Sequence, residues 1–323
     1  MALRFAILGA ARIAKPALID PLSENPDASL VAIGASTRER ALEYAMTHAI
    51  PNAGTYEEVI ARDDVDVVYI ALPPAGHCEW SLKALEAGKH VFLEKPATVN
   101  EADARVLVDA AKKAGKRLIE AFHYRWHPLF RRAVEIVQSG QLGELVSAEA
   151  EFSVPIVRNA REFRWQASQG GGALADLGCY PVSWLRQLTG AEPEVTSAHQ
   201  DLEPDGIDRR TTAHFSFPNG LQADVICDMD PEGGRKPPRL ELVGTKGRLD
   251  LDNPLAPQYG AELKLTLDGQ ETRETFPRRP TFAYQFDGIV DAIQSGQPVW
   301  TEGADLIANA AAMAAIRRVA ATG

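Results

Sequence analysis

Lys95, Asp176 and Tyr180 are the residues of this chain best suited to move a proton. Lys95 closes the run Val91-Phe92-Leu93-Glu94-Lys95-Pro96. Burying an unpaired ammonium at a strand end costs several kcal/mol unless it meets a ligand. By itself the run reads equally well as a surface lysine beside a turn proline, and the rest of the chain must decide. Asp176 and Tyr180 stand four apart and so share one face of a helix. Gly170, Gly171 and Gly172 precede them and allow close backbone approach, while Pro181 places a helix start near Gly178 or a kink beside Tyr180. The competing reading of Tyr180 is a half-buried structural tyrosine.

These residues need a scaffold, and the N-terminal part of the sequence spells one. Apolar runs at 3–8, 30–35, 65–72 and 118–122 alternate with helical segments at 39–48, 80–89 and 100–115, which predicts βαβ units and a parallel sheet. Gly9-Ala10-Ala11-Arg12-Ile13-Ala14 follows the first run and opens a helix, in outline the turn that seats a dinucleotide pyrophosphate on backbone N–H groups. Gly9, Ala11, Arg12 and Ile13 are its candidate contacts, although alanine replaces two of the pattern's glycines. After the second run stand Ser36-Thr37-Arg38-Glu39-Arg40, with no acid at the ribose position. Ser36, Thr37, Arg38 and Arg40 suit a 2′-phosphate, which favours NADP over NAD, and either hydroxyl also reads as a helix cap. Ligands of such sheets bind beyond the carboxyl ends of the strands, where Leu72, Pro73, His77, Glu94, Lys95 and Pro96 fall.

From about residue 122 the pattern changes. A helix over 129–139 leads to a half-exposed strand at 145–154, and short alternating strands follow at 212–217, 221–228, 239–243, 247–251 and 263–267. The expected organisation is a Rossmann domain over 1–121 and, over 122–323, an α/β domain with an open, mostly antiparallel sheet that ends in a helix at 303–321. No helix is evident after those strands to cover both faces, so the sheet should expose an apolar face and form a homodimer or homotetramer through it. His123 and His127 follow the 118–122 strand, and without a completing carboxylate or cysteine they read as pocket walls rather than metal ligands.

Composition narrows the classes. With 323 residues, 45% of them apolar and 24% charged, the chain is an ordinary globular one of about two domains. A net charge of −10 argues against a nucleic-acid or anionic-membrane partner. Cys78, Cys179 and Cys227 are dispersed, which suggests neither a zinc site nor a disulfide framework. No stretch reaches the length and apolarity of a membrane span, and residue 1 runs straight into the first strand, so a cytoplasmic location is expected.

Three motifs together, the glycine turn at Gly9, Glu94-Lys95-Pro96 and Gly172-Ala173-Leu174-Ala175-Asp176-Leu177-Gly178-Cys179-Tyr180, resemble the Gfo/Idh/MocA oxidoreductase family over nearly the whole chain. Tyr180 and Glu120-Ala121-Phe122-His123-Tyr124-Arg125 are most similar to its dihydrodiol dehydrogenase and xylose dehydrogenase branch; inositol dehydrogenase-type members usually carry histidine at Tyr180. The resemblance implies hydride transfer between NAD(P) and a secondary alcohol or hemiacetal carbon of a sugar or cyclic diol. Tyr180 would move the proton, Lys95 would hold its pKa down, and Asp176 would orient Lys95 or accept from substrate. It also implies substrate contacts from His123, Arg125, Phe152, Arg164, Trp165, Asp176 and Tyr180, with Arg125 reaching the cofactor as well. Two other readings remain open at this point: an enzyme that keeps its NAD(P) and oxidises one sugar while reducing another or cleaving a glycoside, and a non-catalytic NAD(P)-binding regulator.

Overall fold

The structure of the protein, a computed structural model, describes residues 2–322. Its first sheet comprises β1 (Leu3–Leu8), β2 (Ala28–Ala35), β3 (Ala53–Thr55), β4 (Val67–Ile70), β5 (His90–Leu93) and β6 (Leu118–Glu120). They lie in the order β3-β2-β1-β4-β5-β6 and every pairing is parallel. Phe5 to Leu8 and Val67 to Ile70 are fully buried, as strands covered on both faces must be. The connecting helices are α1 (Asp20–Glu24), α2 (Arg38–His48), α3 (Tyr56–Ile60), α4 (His77–Glu86) and α5 (Glu101–Ala114). Strand order reverses beside β1, which is where open sheets of this kind hold their ligands.

The chain divides into two compact units, and the division is not the contiguous one expected. One unit runs to Phe122 and takes in Phe282–Ile307; the other is His123–Thr281 with the residues from Ala308 onward. The returning segment carries a helix, Thr281–Ser295, that the sequence reading overlooked. Phe286, Ile289 and Val290 make its apolar stripe and are buried, with the Phe286 ring 5.2 Å from that of Phe5. Arg117 secures the segment by donating to Glu302 Oε2 and to the Ala292 carbonyl, each at 2.7 Å. Thr301 O accepts from Glu120 N at 2.8 Å, close to a single antiparallel bridge between Ile119 and Glu302.

The second unit is built on β7 (Leu145–Ser153), β8 (Glu194–Leu202), β9 (Asp208–Ser216), β10 (Gln222–Asp228), β11 (Arg239–Gly244), β12 (Gly247–Asp252), β13 (Glu262–Leu267) and β14 (Gln270–Glu274). The order is β14-β13-β12-β11-β7-β10-β9-β8, antiparallel throughout except for the β7–β10 pair. Alternate residues face inward, among them Phe215, Val225, Leu242, Leu249 and Leu263, all fully buried. Helices α6 (Pro128–Gln138) and α7 (Cys179–Thr189) pack together, and α7 lies on β7 and β10.

The opposite face corrects the expectation of an apolar surface. Asp224, Glu149, Glu241 and Asp250 stand directly opposite one another on consecutive strands, flanked by His214 and Lys264. Like charges in register destabilise a sheet. Here basic side chains interleave with them: Arg239 pairs with Glu149, Arg248 with Glu241 at 2.8 Å and Asp250 at 2.6 Å, and His214 with Asp224 at 2.8 Å. Among the described residues, no helix is long and apolar enough to cross a membrane.

Because Phe286 completes the core of the first unit from outside its contiguous segment, Phe286→Ala should cost about 3–5 kcal/mol, the usual loss for emptying a buried phenylalanine site. Chemical denaturation monitored by circular dichroism checks this. A loss below about 1 kcal/mol would mean that residues up to 121 stand without the returning helix.

Candidate active site

In the first unit the turn after β1 is shaped by Gly9, whose φ is +109°. A Cβ there would lie 2.7 Å from the Ala71 carbonyl oxygen, so only glycine lets the chain turn so tightly against β4. Tyr44 donates to Ala11 O at 3.0 Å, and Arg12 is exposed. A short π-helical turn, Lys15–Ile19, leads on into α1.

Beyond β2, Thr37 caps α2 by accepting from Arg40 N at 3.3 Å, and Arg40 Nη1 donates to Ser36 Oγ at 3.1 Å. All five residues from Ser36 to Arg40 are exposed. Arg38 is bonded to Glu58, an acid that sequence spacing did not bring forward.

The turn carrying Lys95 is gripped on several sides. Tyr69 donates to Glu94 Oε1 at 2.5 Å while its ring stacks on Phe92 at 4.5 Å, and Glu94 Oε2 accepts from Lys95 N at 3.3 Å. Ala97 N donates to the buried Glu120 Oε1 at 2.7 Å. His77, fully buried, has Nδ1 2.9 Å from Pro96 O and Nε2 2.8 Å from Leu72 O. His77 thus ties the end of β4 to the turn after β5. Burial pushes its pKa down despite those carbonyls. Pro73 and Leu72 remain partly exposed beside it, and Lys95 is half-buried.

In the second unit Tyr180 lies in the first turn of α7, where a π-helical segment, Leu174–Gly178, passes directly into the α-helix, so the helical run changes type beside Tyr180 rather than starting at Gly178. Its ring meets Phe152 at 5.6 Å, His123 at 5.9 Å and Tyr124 at 6.0 Å, all edge-on, and its hydroxyl is 3.4 Å from His123 Nε2. The structure therefore brings Tyr180, His123 and Phe152 together. Asp176 sits one turn earlier in a π-helical segment, Leu174–Gly178, and accepts from Arg164 Nε at 2.6 Å. Arg164 Nη1 also donates to Glu162 at 2.8 Å. Burial disfavours the Arg164 charge, but the two carboxylates outweigh it and hold the guanidinium firmly protonated.

Two further candidates are held by the protein itself. Trp165 is buried in a cluster with Ala173, Leu177, Ile207, Cys227 and Met229, and its Nε1 donates to Ile156 O at 3.1 Å. Arg125 is 1% exposed and donates to the Tyr124 hydroxyl at 3.3 Å and to Ser183. These two partners lie inside the second unit. Ser183 was missed although it stands three residues after Tyr180 on the same helix, a spacing that could have marked it.

Asp208 was also missed, and it explains one of the glycines. Gly172 has a φ of +112°, and a Cβ there would fall 2.0 Å from Asp208 Oδ1. Asp208 Oδ2 accepts from Leu174 N and from Thr211 Oγ1, each at 2.7 Å, fastening the π turn that leads to Tyr180. Burial pushes the Asp208 carboxyl up, against those bonds. The close approach at Gly172 is to the protein's own carboxylate, and at Gly171 it is to the backbone carbonyls of Phe163 and Arg164.

A parallel six-stranded domain with a glycine turn at its switch point, joined to an open sheet domain bearing a buried tyrosine, defines an NAD(P)-dependent oxidoreductase. The comparisons sharpen that class. Residues 3–122 match the oxidoreductase family with an NAD-binding Rossmann fold, and residues 130–250 match the GFO/IDH/MocA C-terminal domain, so the chain belongs to the GFO/IDH/MocA oxidoreductase family. It is 33% identical over 297 residues to a D-xylose 1-dehydrogenase (NADP(+)) of Haloferax volcanii, covering 91% of this chain and 90% of that one. A trans-1,2-dihydrobenzene-1,2-diol dehydrogenase of Mus musculus is 34% identical, covering 86% of this chain and 80% of its own. The crystal structure of an aldose-aldose oxidoreductase from Caulobacter crescentus, complexed with glycerol, superposes with a TM-score of 0.91 at 26% identity, over 100% of this chain and 98% of that one. The chain is accordingly an oxidoreductase of the dehydrogenase and reductase type, similar to enzymes acting on sugar-like substrates.

Gly172→Ala places a Cβ where a carboxylate already is and forces an alanine to a φ it rarely adopts, so it should lower stability by at least about 1–3 kcal/mol. Gly88, also at positive φ but with nothing within 4 Å of a Cβ, is the control, and Gly88→Ala should cost about 1 kcal/mol or less. Equal melting temperatures for the two variants would show that Asp208 is not the constraint.

Proposed function

We propose that the chain is an NADP-dependent dehydrogenase that oxidises a secondary alcohol or the hemiacetal carbon of a sugar or cyclic diol, with Tyr180 as general acid–base. The observation that carries this reading is the Tyr180 hydroxyl, held among Phe152, Tyr124 and His123 with a nitrogen acceptor at 3.4 Å. When bound, NADP supplies the carbon that gives or takes a hydride. Gly9 to Ile13 would hold its pyrophosphate and Ser36 to Arg40 its 2′-phosphate. Lys95, on its gripped turn, would supply a positive charge that makes the Tyr180 hydroxyl more acidic and would orient a substrate hydroxyl. Asp176 fixes Arg164 beside the segment that leads to Tyr180. A substrate panel of aldoses, cyclitols and diols scored for NADP reduction tests the class, and no turnover across it would refute the reading.

A second reading is favoured by the likeness to the aldose-aldose oxidoreductase: a cofactor that stays bound while one sugar is oxidised and another reduced. Nicotinamide absorbance that survives desalting of the purified protein would select it.

Two predictions follow from the assigned roles. Lys95→Met and Tyr180→Phe should each lower kcat by about 10² to 10⁴-fold with NADP affinity nearly unchanged, and the double variant should be little worse than the poorer single one. Tyr180→Phe retaining more than about a tenth of turnover while losing only melting temperature would return Tyr180 to a packing role. Separately, Arg38→Ala should weaken NADP by roughly ten- to a hundredfold and leave NAD within about threefold, since each charge-assisted phosphate contact is worth about 1.5–3 kcal/mol. Equal loss for both cofactors in a fluorescence titration would place Arg38 with Glu58 alone.

A further inference from the structure

The proton on Tyr180 has a destination inside the second unit, and its direction can be read from three groups in sequence. Thr281 Oγ1 is 3.3 Å from the carbonyl oxygen of Leu255, and since a carbonyl has no hydrogen to give, the threonine hydroxyl must donate there. Thr281 Oγ1 is also 2.7 Å from His123 Nδ1. With its hydrogen already committed, the hydroxyl accepts at this contact, so Nδ1 is the nitrogen that carries the proton. A neutral imidazole has one N–H, and Nε2 is therefore bare and accepts from the Tyr180 hydroxyl at 3.4 Å. Thr281 is 0% exposed, Tyr180 6% and His123 7%, so bulk water does not compete for these positions.

We propose that His123 is a positioning residue for Tyr180, with its tautomer set by Thr281, and that it receives the tyrosine proton when Tyr180 acts. As Tyr180 takes a proton from a bound hydroxyl, its own O–H bond breaks and an N–H bond forms at His123 Nε2. The products are a neutral phenol and an imidazolium whose Nδ1–H still donates to Thr281, so the pair gains the one proton the substrate hydroxyl loses, while the substrate's hydride would leave to NADP. The 3.4 Å separation is longer than an optimal O–H···N bond and shortens as the hydroxyl is engaged, as hydrogen bonds in ligand-free sites commonly do. The bound hydroxyl in this step rests on the proposed function; the tautomer does not.

Nuclear magnetic resonance of the full chain labelled with ¹⁵N in histidine and ¹³Cζ in tyrosine, with no ligand added, reads the arrangement directly. His123 should show a protonated Nδ1 and a bare Nε2. In Thr281→Val the proton should move at least partly to Nε2, and the Tyr180 ¹³Cζ resonance, assigned with Tyr180→Phe, should shift in step as its oxygen turns from donor to acceptor. Thr281→Ser, which keeps the hydroxyl, should restore both signals and controls for loss of folding. A wild-type His123 protonated on Nε2, or signals indifferent to Thr281→Val in a folded chain, would overturn the proposal. With D-xylose and NADP as the assay pair, Thr281→Val should lower kcat about tenfold with little change in KM. Absence of sugar oxidation by the wild type counts against the proposed function and leaves the tautomer result to decide this one.

Discussion

The first unit depends on holding the turn that carries Lys95 at the end of a buried strand. The peptides that follow Lys95 lie beyond the end of β5, where the sheet no longer satisfies them, and an unmet buried polar group costs about 1–3 kcal/mol. Glu120 takes the Ala97 N–H, His77 addresses the Pro96 carbonyl, and Tyr69 holds the side chain of Glu94. Each comes from a different element, β6, α4 and β4, so the direction in which Lys95 leaves the backbone is fixed by the packing of the whole sheet. The second unit solves a related problem with a single acid. Asp208, on β9, fastens the π turn from which Tyr180 follows.

What was legible in the sequence was whatever a local pattern encodes. The apolar runs of β1, β4, β5 and β6, the alternation of β9 to β13 and the Asn100 cap of α5 all announce themselves within a few residues. Edge strands did not: β14 is polar on both faces, the few apolar residues of β8 (Val195, Ala198 and Leu202) do not alternate, and β3 has three residues, so none carries a periodic signal. The helix Thr281–Ser295 had its signal in Phe286, Ile289 and Val290, masked by Gly288 in the interior and by aromatic residues that suit strands as well. Lys95, Asp176 and Tyr180 could be singled out because their motifs are short. Thr281, Glu58 and Asp208 could not, because each acts on a residue far from it in sequence and nothing local marks a threonine or an acid as the partner of a distant ring or guanidinium.

The outer face of the second sheet shows how a pattern can be read correctly and its consequence wrongly. Alternation does mark one face as core and the other as open, but it says nothing of what the open face is made of. Four carboxylates in a cross-strand row would repel one another, and the arginines of neighbouring rows are long enough to reach back between them. Exposed pairs of this kind contribute little individually, about 0–1 kcal/mol. Their effect is to make an otherwise self-repelling strand order tolerable.

The return of Phe282–Ile307 to the first unit bears on how this polypeptide is made. The strands of its first sheet leave the ribosome before those of the second, yet the aromatic and backbone partners they require near Phe5, Arg117 and Glu120 arrive only after the whole second sheet has been synthesised. The first unit is thus begun before the second sheet and completed after it. Until then its apolar strands are exposed to whatever else they meet in the cell, a long-range closure of the kind that slows folding and invites chaperones.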